Sequence, residues 1–189
     1  MRIISGRYKG RTIATVRDHS VRPATDRVRE TIFNILSHRM ELSGIRVLDL
    51  FAGSGSLGLE ALSREAARAV FVENSPSASE YLRENVRSLG CEGDVEIVTM
   101  DSIAFVAQEQ GEYDLVFADP PYDYERTKDL PGLIFARMLV GRHGFLVVEH
   151  SPECTFSDTT RYCVGPERRF GRTRVTFFRG TSNKPERKP

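Results

Sequence analysis

The sequence predicts an α/β fold in which a doubly wound, mostly parallel sheet is closed by an antiparallel hairpin. Three observations predict it. Five apolar runs, residues 45–51, 69–72, 95–100, 113–118 and 145–148, have strand length and are separated by segments with helical content. The first run leads directly into Gly53, Gly55 and Gly58 and then into helical spacing, which is how a βαβ unit opens. Beyond residue 150 the rhythm changes, because residues 162–164 and 173–179 read as strands with a basic loop, 165–172, and no helix between them.

Taken in order, residues 3–5 and 11–16 read as two short strands joined by a turn that Gly6 and Gly10 permit. Thr25 or Asp26 then caps a helix whose apolar positions are Val28, Ile32, Ile35, Leu36 and Met40. Ser43-Gly44 ends this extension and the alternating pattern begins. After the glycine loop, Leu59, Ala61 and Leu62 have helical spacing. The second strand ends in Glu73, followed by Asn74; Ser75 caps the next helix with Pro76 at its first position, and Gly90 stops it. The third strand ends at Asp101, with Ser102 opening a further helix. Residues 124–140 carry helical content broken by Pro131-Gly132, and the fifth strand ends in Glu149-His150. Residues 181–189 contain no apolar side chain and read as a disordered tail. The expected organisation is therefore an extension over 1–44, one main domain over 45–180 and the tail.

With 189 residues the chain has room for one ordinary domain with a hydrophobic core. Its 40% hydrophobic and 28% charged content is that of a soluble protein, and no apolar stretch approaches the ~20 residues needed to span a bilayer. The start is polar too soon for a signal peptide, so a cytoplasmic location is expected. Three scattered cysteines, Cys91, Cys154 and Cys163, support neither a disulfide framework nor a zinc site, and no histidine has metal-ligand spacing. No metal is expected. The net charge of +1 hides a segregation: residues 1–46 carry ten Lys/Arg against four Asp/Glu, residues 161–189 nine against two, and the middle eight against twenty. Two basic ends on an acidic body suit a polyanion, with Arg7, Lys9, Arg11, Arg22, Arg168, Arg169 and Arg172 as candidate phosphate contacts.

The chemistry centres on Asp119-Pro120-Pro121-Tyr122, directly after the fourth strand. Two prolines stiffen the chain and remove two N–H groups, so a carboxylate, backbone carbonyls and an aromatic ring are held rigidly at a strand's carboxyl end. That set suits a flat ring bearing an amino group, such as a nucleobase. Gly53, Gly55 and Gly58 let a backbone approach a ligand closely, and Glu73, twenty positions beyond Gly53, can grip ribose hydroxyls. The pattern is also the dinucleotide fingerprint. Asp49, however, is an acid inside a buried strand, which needs a cation or hydrogen-bond donors; the ammonium and sulfonium of S-adenosylmethionine supply positive charge where a dinucleotide would bring pyrophosphate. Asp101 could accept from an adenine amino group or simply cap its helix.

Residues 47–55, Val-Leu-Asp-Leu-Phe-Ala-Gly-Ser-Gly, together with Asp119-Pro120-Pro121-Tyr122, resemble the S-adenosylmethionine-dependent amino-methyltransferases. Within that class, residues 22–34 are similar to the signature of the bacterial 16S ribosomal RNA guanine-N2 methyltransferases, with Ala24 and Phe170 departing from the threonine and tyrosine of the pattern. The resemblance implies a seven-stranded Rossmann-like methyltransferase sheet acting, as a monomer, on 16S ribosomal RNA or a small-subunit assembly particle. It implies Asp119, Pro120, Pro121 and Tyr122 as catalytic residues. The cofactor would be held by Asp49, Phe51, Ala52, Gly53, Ser54, Gly55, Gly58, Glu73, Asn74, Asp101 and Ser102, with Thr25 in an N-terminal lid.

Rival readings use the same residues less completely. A DNA adenine-N6 methyltransferase shares the tetrapeptide but usually carries a sizeable recognition region, for which this chain has no space. A glutamine methyltransferase leaves the basic ends unexplained. A non-catalytic nucleic-acid-binding module has no use for the intact acids and glycines, and an NAD-dependent oxidoreductase has none for residues 119–122.

Overall fold

The computed structural model describes residues 1–15 and 26–181. Along the chain run α1 (Asp26–Ser37), β1 (Arg46–Leu50), α2 (Ser56–Ser63), β2 (Arg68–Glu73), α3 (Pro76–Leu89), β3 (Val95–Thr99), α4 (Ser102–Gln108), β4 (Tyr113–Ala118), α5 (Leu130–Ala136), β5 (Val140–His150), β6 (Tyr162–Phe170) and β7 (Thr173–Gly180). The strands form one sheet in the order β3-β2-β1-β4-β5-β7-β6. β1 to β5 are parallel, and β7 is antiparallel to both β5 and β6. The expected doubly wound sheet with an antiparallel closure is what the chain builds.

Alternation along each central strand feeds two cores. Val47, Phe71, Phe117, Val147 and Phe177 lie beneath α1, α2 and α3, while Leu48, Val72, Val116, Leu146 and Phe178 meet α4 and α5. α1 seats Phe33 against Phe117, ring centroids 5.8 Å apart, and buries Leu36 beside it. Each such side chain contributes roughly 1.5–3 kcal/mol by leaving water. Helix ends follow the sequence cues. Ser75 Oγ accepts from the Ala78 N–H at 3.3 Å, Pro76 occupies the first turn of α3, and Gly90 ends it at φ 70°.

Three expectations are corrected. Residues 3–5 and 11–16 form no strands in the described part; a single antiparallel bridge, Arg2 to Thr12, joins them, and Val16 lies outside the described residues. Their backbone is used elsewhere. The buried carboxylate of Glu60 on α2 accepts from the Ile4 and Ser5 N–H groups at 2.7 and 3.1 Å and from Arg64 Nε at 2.9 Å. Gly6, at φ +81°, lies so close to α2 that a Cβ there would meet the Ser63 carbonyl oxygen at 1.7 Å. Second, Pro131 and Gly132 do not break a helix; they start α5, because a proline in the first turn loses no hydrogen bond that the helix would have made. Third, the supposed basic loop is mostly strand, since β6 runs to Phe170 and the turn is only Gly171-Arg172, with Gly171 at φ 59°. Residues 182–189, where a tail is expected, lie outside the described residues.

Candidate active site

The strand order reverses direction between β1 and β4, and in open α/β sheets that switch point leaves a crevice at the strands' carboxyl ends. β1 delivers Asp49, Phe51 and the glycine loop to it, and β4 delivers Asp119 to Tyr122. Phe51 is at φ 61°, a conformation that costs a bulky residue on the order of 1–3 kcal/mol and concentrates at functional sites. The loop that follows is tied down by the Ala52 N–H to the Val72 carbonyl at 2.9 Å and by the Gly55 N–H to the Ala52 carbonyl at 2.7 Å. Gly58 is needed for close packing, because a Cβ there would lie 2.3 Å from the Phe71 ring.

Glu73, buried at the end of β2, accepts from the Gly53 N–H and the Ser75 N–H, each at 2.8 Å, and so sets the shape of both loops. Asp49 is 2% exposed and accepts from the Gly58 N–H at 2.9 Å. Burial pushes its carboxyl up to about 8 and Glu73 adds to the rise, while the Gly58 hydrogen bond opposes it. Asp101 does cap α4, its Oδ1 accepting from the Ala104 N–H at 2.9 Å, and Ser102 is buried behind it. Ser54 is buried too, whereas Asn74 is exposed. Thr25 and Arg22 lie outside the described residues.

Asp119 is half-buried at the carboxyl rim, and its carboxyl sits among protein atoms. Burial first, then the charges of Glu149 and Asp49, hold it well above the ordinary carboxylate range. The carbonyls of the tetrapeptide are not equivalent. Pro121's accepts the Tyr124 N–H at 2.9 Å and closes a turn, whereas Pro120's accepts no hydrogen bond among the described residues. Tyr122 is half exposed at the mouth. Beside it lies a cavity of about 260 Å³, lined by Pro120, Pro121, Tyr122, Tyr124, His150 and Ser151 among others.

Sequence reasoning missed two residues. Tyr124 packs edge-on against Phe51 at 5.1 Å and feels the Asp101 charge, so it stands between the glycine-loop side and the cavity; an aromatic two positions beyond the tetrapeptide was the available signal. Asn85, buried in α3, donates from Nδ2 to the Ser54 and Ala14 carbonyls at 3.0 and 2.8 Å and accepts from the Ala14 N–H at 2.7 Å. The available signal was its place on the apolar face of α3, three residues beyond Leu82 and beside Val86 and Leu89.

The basic residues divide by position. Arg7 pairs with Asp94 at 2.9 Å, and Arg11 donates to the Ser88 carbonyl. Those partners lie at the end of α3 and just before β3, the rim opposite the crevice. Lys9 is exposed beside them. By contrast, His150 pairs with Arg174 across β5 and β7, so the turn after β6, with Arg168, Arg169 and Arg172 exposed, projects from the same rim as Asp119.

A family profile described as "Conserved hypothetical protein 95" matches residues 1–179. The chain belongs to that family. A Bacillus subtilis strain 168 protein named putative rRNA methyltransferase YlbH is 34% identical over 183 residues, 95% of this chain and 98% of its own length. A Haemophilus influenzae protein named ribosomal RNA small subunit methyltransferase D is 35% identical over 152 residues, 79% of this chain and 78% of that one. The solved structure of yhhF from Escherichia coli superposes with a TM-score of 0.83 at 32% identity, covering 95% of this chain and 97% of that chain. The seven-stranded sheet is the α/β methyltransferase fold.

Proposed function

We propose that the protein transfers a methyl group from S-adenosylmethionine to the exocyclic N2 of a guanine in small-subunit 16S ribosomal RNA. The observation that carries this reading is the rigid Asp119-Pro120-Pro121-Tyr122 segment at the switch point, which brings together a buried carboxyl, a Pro120 carbonyl with no hydrogen bond among the described residues and a half-exposed ring. Membership of a family whose relatives include a small-subunit ribosomal RNA methyltransferase supports the RNA substrate.

The chain's residues fit the methyl donor. Asp49 is a buried acid whose ionised form lacks a cationic partner among the described residues, and a cationic ligand would supply one. Glu73 retains acceptor capacity beyond its two backbone contacts, and Phe51, Tyr124 and Asp101 form an aromatic and polar wall for an adenosine. Ala52, Gly53, Ser54, Gly55 and Gly58 supply the backbone cradle, with Ser102 behind it. When bound, the sulfonium supplies an already activated methyl group, so no strong base is required. Asp119 and the Pro120 carbonyl accept the two amino hydrogens, turning the nitrogen lone pair toward the methyl carbon, and Tyr122 stacks on the base. Asp119 would take the N–H proton given up as the nitrogen is methylated. Positioning does most of the work, since well-oriented reactants gain roughly 7–11 kcal/mol over a bimolecular encounter. The base must be splayed out of its RNA structure to enter.

The deciding experiment is incubation with labelled donor and 16S RNA or small subunits, followed by mapping of the modified nucleotide. Label on a guanine N2 is expected; label only on adenine or only on DNA would overturn the reading. The end of the β6–β7 hairpin, with Arg168 and Arg169 on β6 and Arg172 in the turn, is assigned the phosphate grip. Changing all three to glutamine should weaken RNA binding and reduce the slope of log K against log salt by about 1 for each phosphate no longer neutralised. The same exchange at Arg7 and Arg11, on the far rim, should leave the slope nearly unchanged.

A further inference from the structure

We infer that Glu149 is a positioning residue for the methyl transfer: it forms a carboxyl pair with Asp119 that shares one proton, and it takes that proton when the substrate amino group meets Asp119 as its ionised acceptor. The inference rests on the function proposed above. Its first support is the register. β4 and β5 are adjacent and parallel with Phe117 opposite Val147, and side chains alternate, so Asp119 and Glu149, each two residues further on, return to one face at the carboxyl rim. Its second support is an orphan. Glu149 is 6% exposed, and its Oε2 has no hydrogen-bond partner among the described residues. Its Oε1 shares the single Thr173 hydroxyl proton, at 3.1 Å, with the His150 carbonyl at 3.2 Å.

Among the described residues no cation reaches the pair. Asp49 of β1 faces it from the same side, and from β7 come Thr173 and Val175. His150 and Arg174 alternate to the opposite face, where Arg174 pairs with Glu167 at 2.9 Å. On α1 above, Arg29 is engaged by Asp26 and the Arg2 carbonyl. Two buried carboxyls side by side, with no cation among the described residues, do not both ionise near neutrality. Burial pushes Glu149 up to about 7, and its charge in turn raises Asp119. Because the Glu149 charge raises Asp119, the proton of the ligand-free pair lies toward Asp119; donors from a substrate amino group favour an ionised Asp119 and pass that proton to Glu149. A protonated Glu149 donates from its otherwise orphaned oxygen, fixes the Asp119 rotamer and limits the pair to one negative charge. When the substrate's proton passes to Asp119, the pair holds two and releases one to solvent.

The pair can be read without substrate or cofactor. An infrared titration of the purified protein follows the carbonyl stretch of undissociated acids, and the component that Glu149→Gln removes should titrate with a midpoint of about 7. The component that Asp119→Asn removes should titrate at lower pH in Glu149→Gln, because the charge that raises it is gone. A midpoint that does not move, or the absence of such a component, would overturn the pairing. In single-turnover assays Glu149→Gln, which can still donate to Asp119, should stay within about threefold of the parent, while Glu149→Leu should lose at least about tenfold at unchanged cofactor affinity. Equal turnover in the two variants would also overturn it. Failure of the parent protein to methylate guanine would overturn the proposed function instead, and the infrared coupling separates the two cases.

Discussion

Asp119→Ala should lower the single-turnover rate of guanine methylation by about 10²–10³-fold while leaving cofactor affinity unchanged, because it removes a fixed acceptor aimed at the reacting amino group. The carboxyl sits at the end of β4 beside two prolines that allow no rearrangement of the backbone to replace it. Burial and the Glu149 and Asp49 charges already disfavour its ionised form, so the same variant should unfold at a higher temperature near neutral pH. Reduced activity with a gain of stability is the mark of a group kept for function at a cost to the fold. Calorimetric titration with S-adenosylmethionine alongside rapid-quench kinetics and thermal melts checks both halves. Loss of cofactor binding with normal residual turnover would move Asp119 to the cofactor side.

The second large effect is a pH dependence set by Asp49. Its folded carboxyl titrates at about 8 against an ordinary 3.8, so between those values the native state binds more protons than the unfolded chain. Stability from this group is then complete below the lower value and is lost as pH rises through the upper one. In the ligand-free protein Asp49→Asn should therefore be nearly neutral at about pH 4 and stabilising, on the order of 5 kcal/mol, at about pH 8.5. Denaturant melts of the two proteins at both pH values measure the difference. A difference that does not grow with pH would show that Asp49 stays ionised without a ligand. A cationic ligand stabilises the carboxylate, so its binding should release protons, detectable as a buffer-dependent binding enthalpy, and the asparagine variant should release fewer.

Whatever a short window determines is legible in the sequence. Residues 113–122 announce a buried strand running into a stiff acidic turn, and Ser75-Pro76 through Gly90 announces a helix with both ends marked. The arm at residues 1–15 defeats pattern reading because its alternation and glycines suit a hairpin, whereas its amides are claimed by Glu60, fifty-six positions away from Ile4. Pro131 defeats it because a breaker and a first-turn residue look alike without the preceding chain. Arg7 and Arg11 share only their sign with the second basic cluster, and the topology alone puts them on opposite rims. Glu149 looks like a solvated strand end until β5 is known to lie beside β4, a pairing that no local pattern encodes.

Asn85 gives the arm and the glycine loop a single fastening. One carboxamide holds Ala14 on one side and Ser54 on the other, so the conformational freedom of the two segments is shared rather than separate. A ligand that stills the loop therefore prepays part of the ordering of the arm, and whatever engages the arm strengthens the loop's hold on its ligand by an equal free energy.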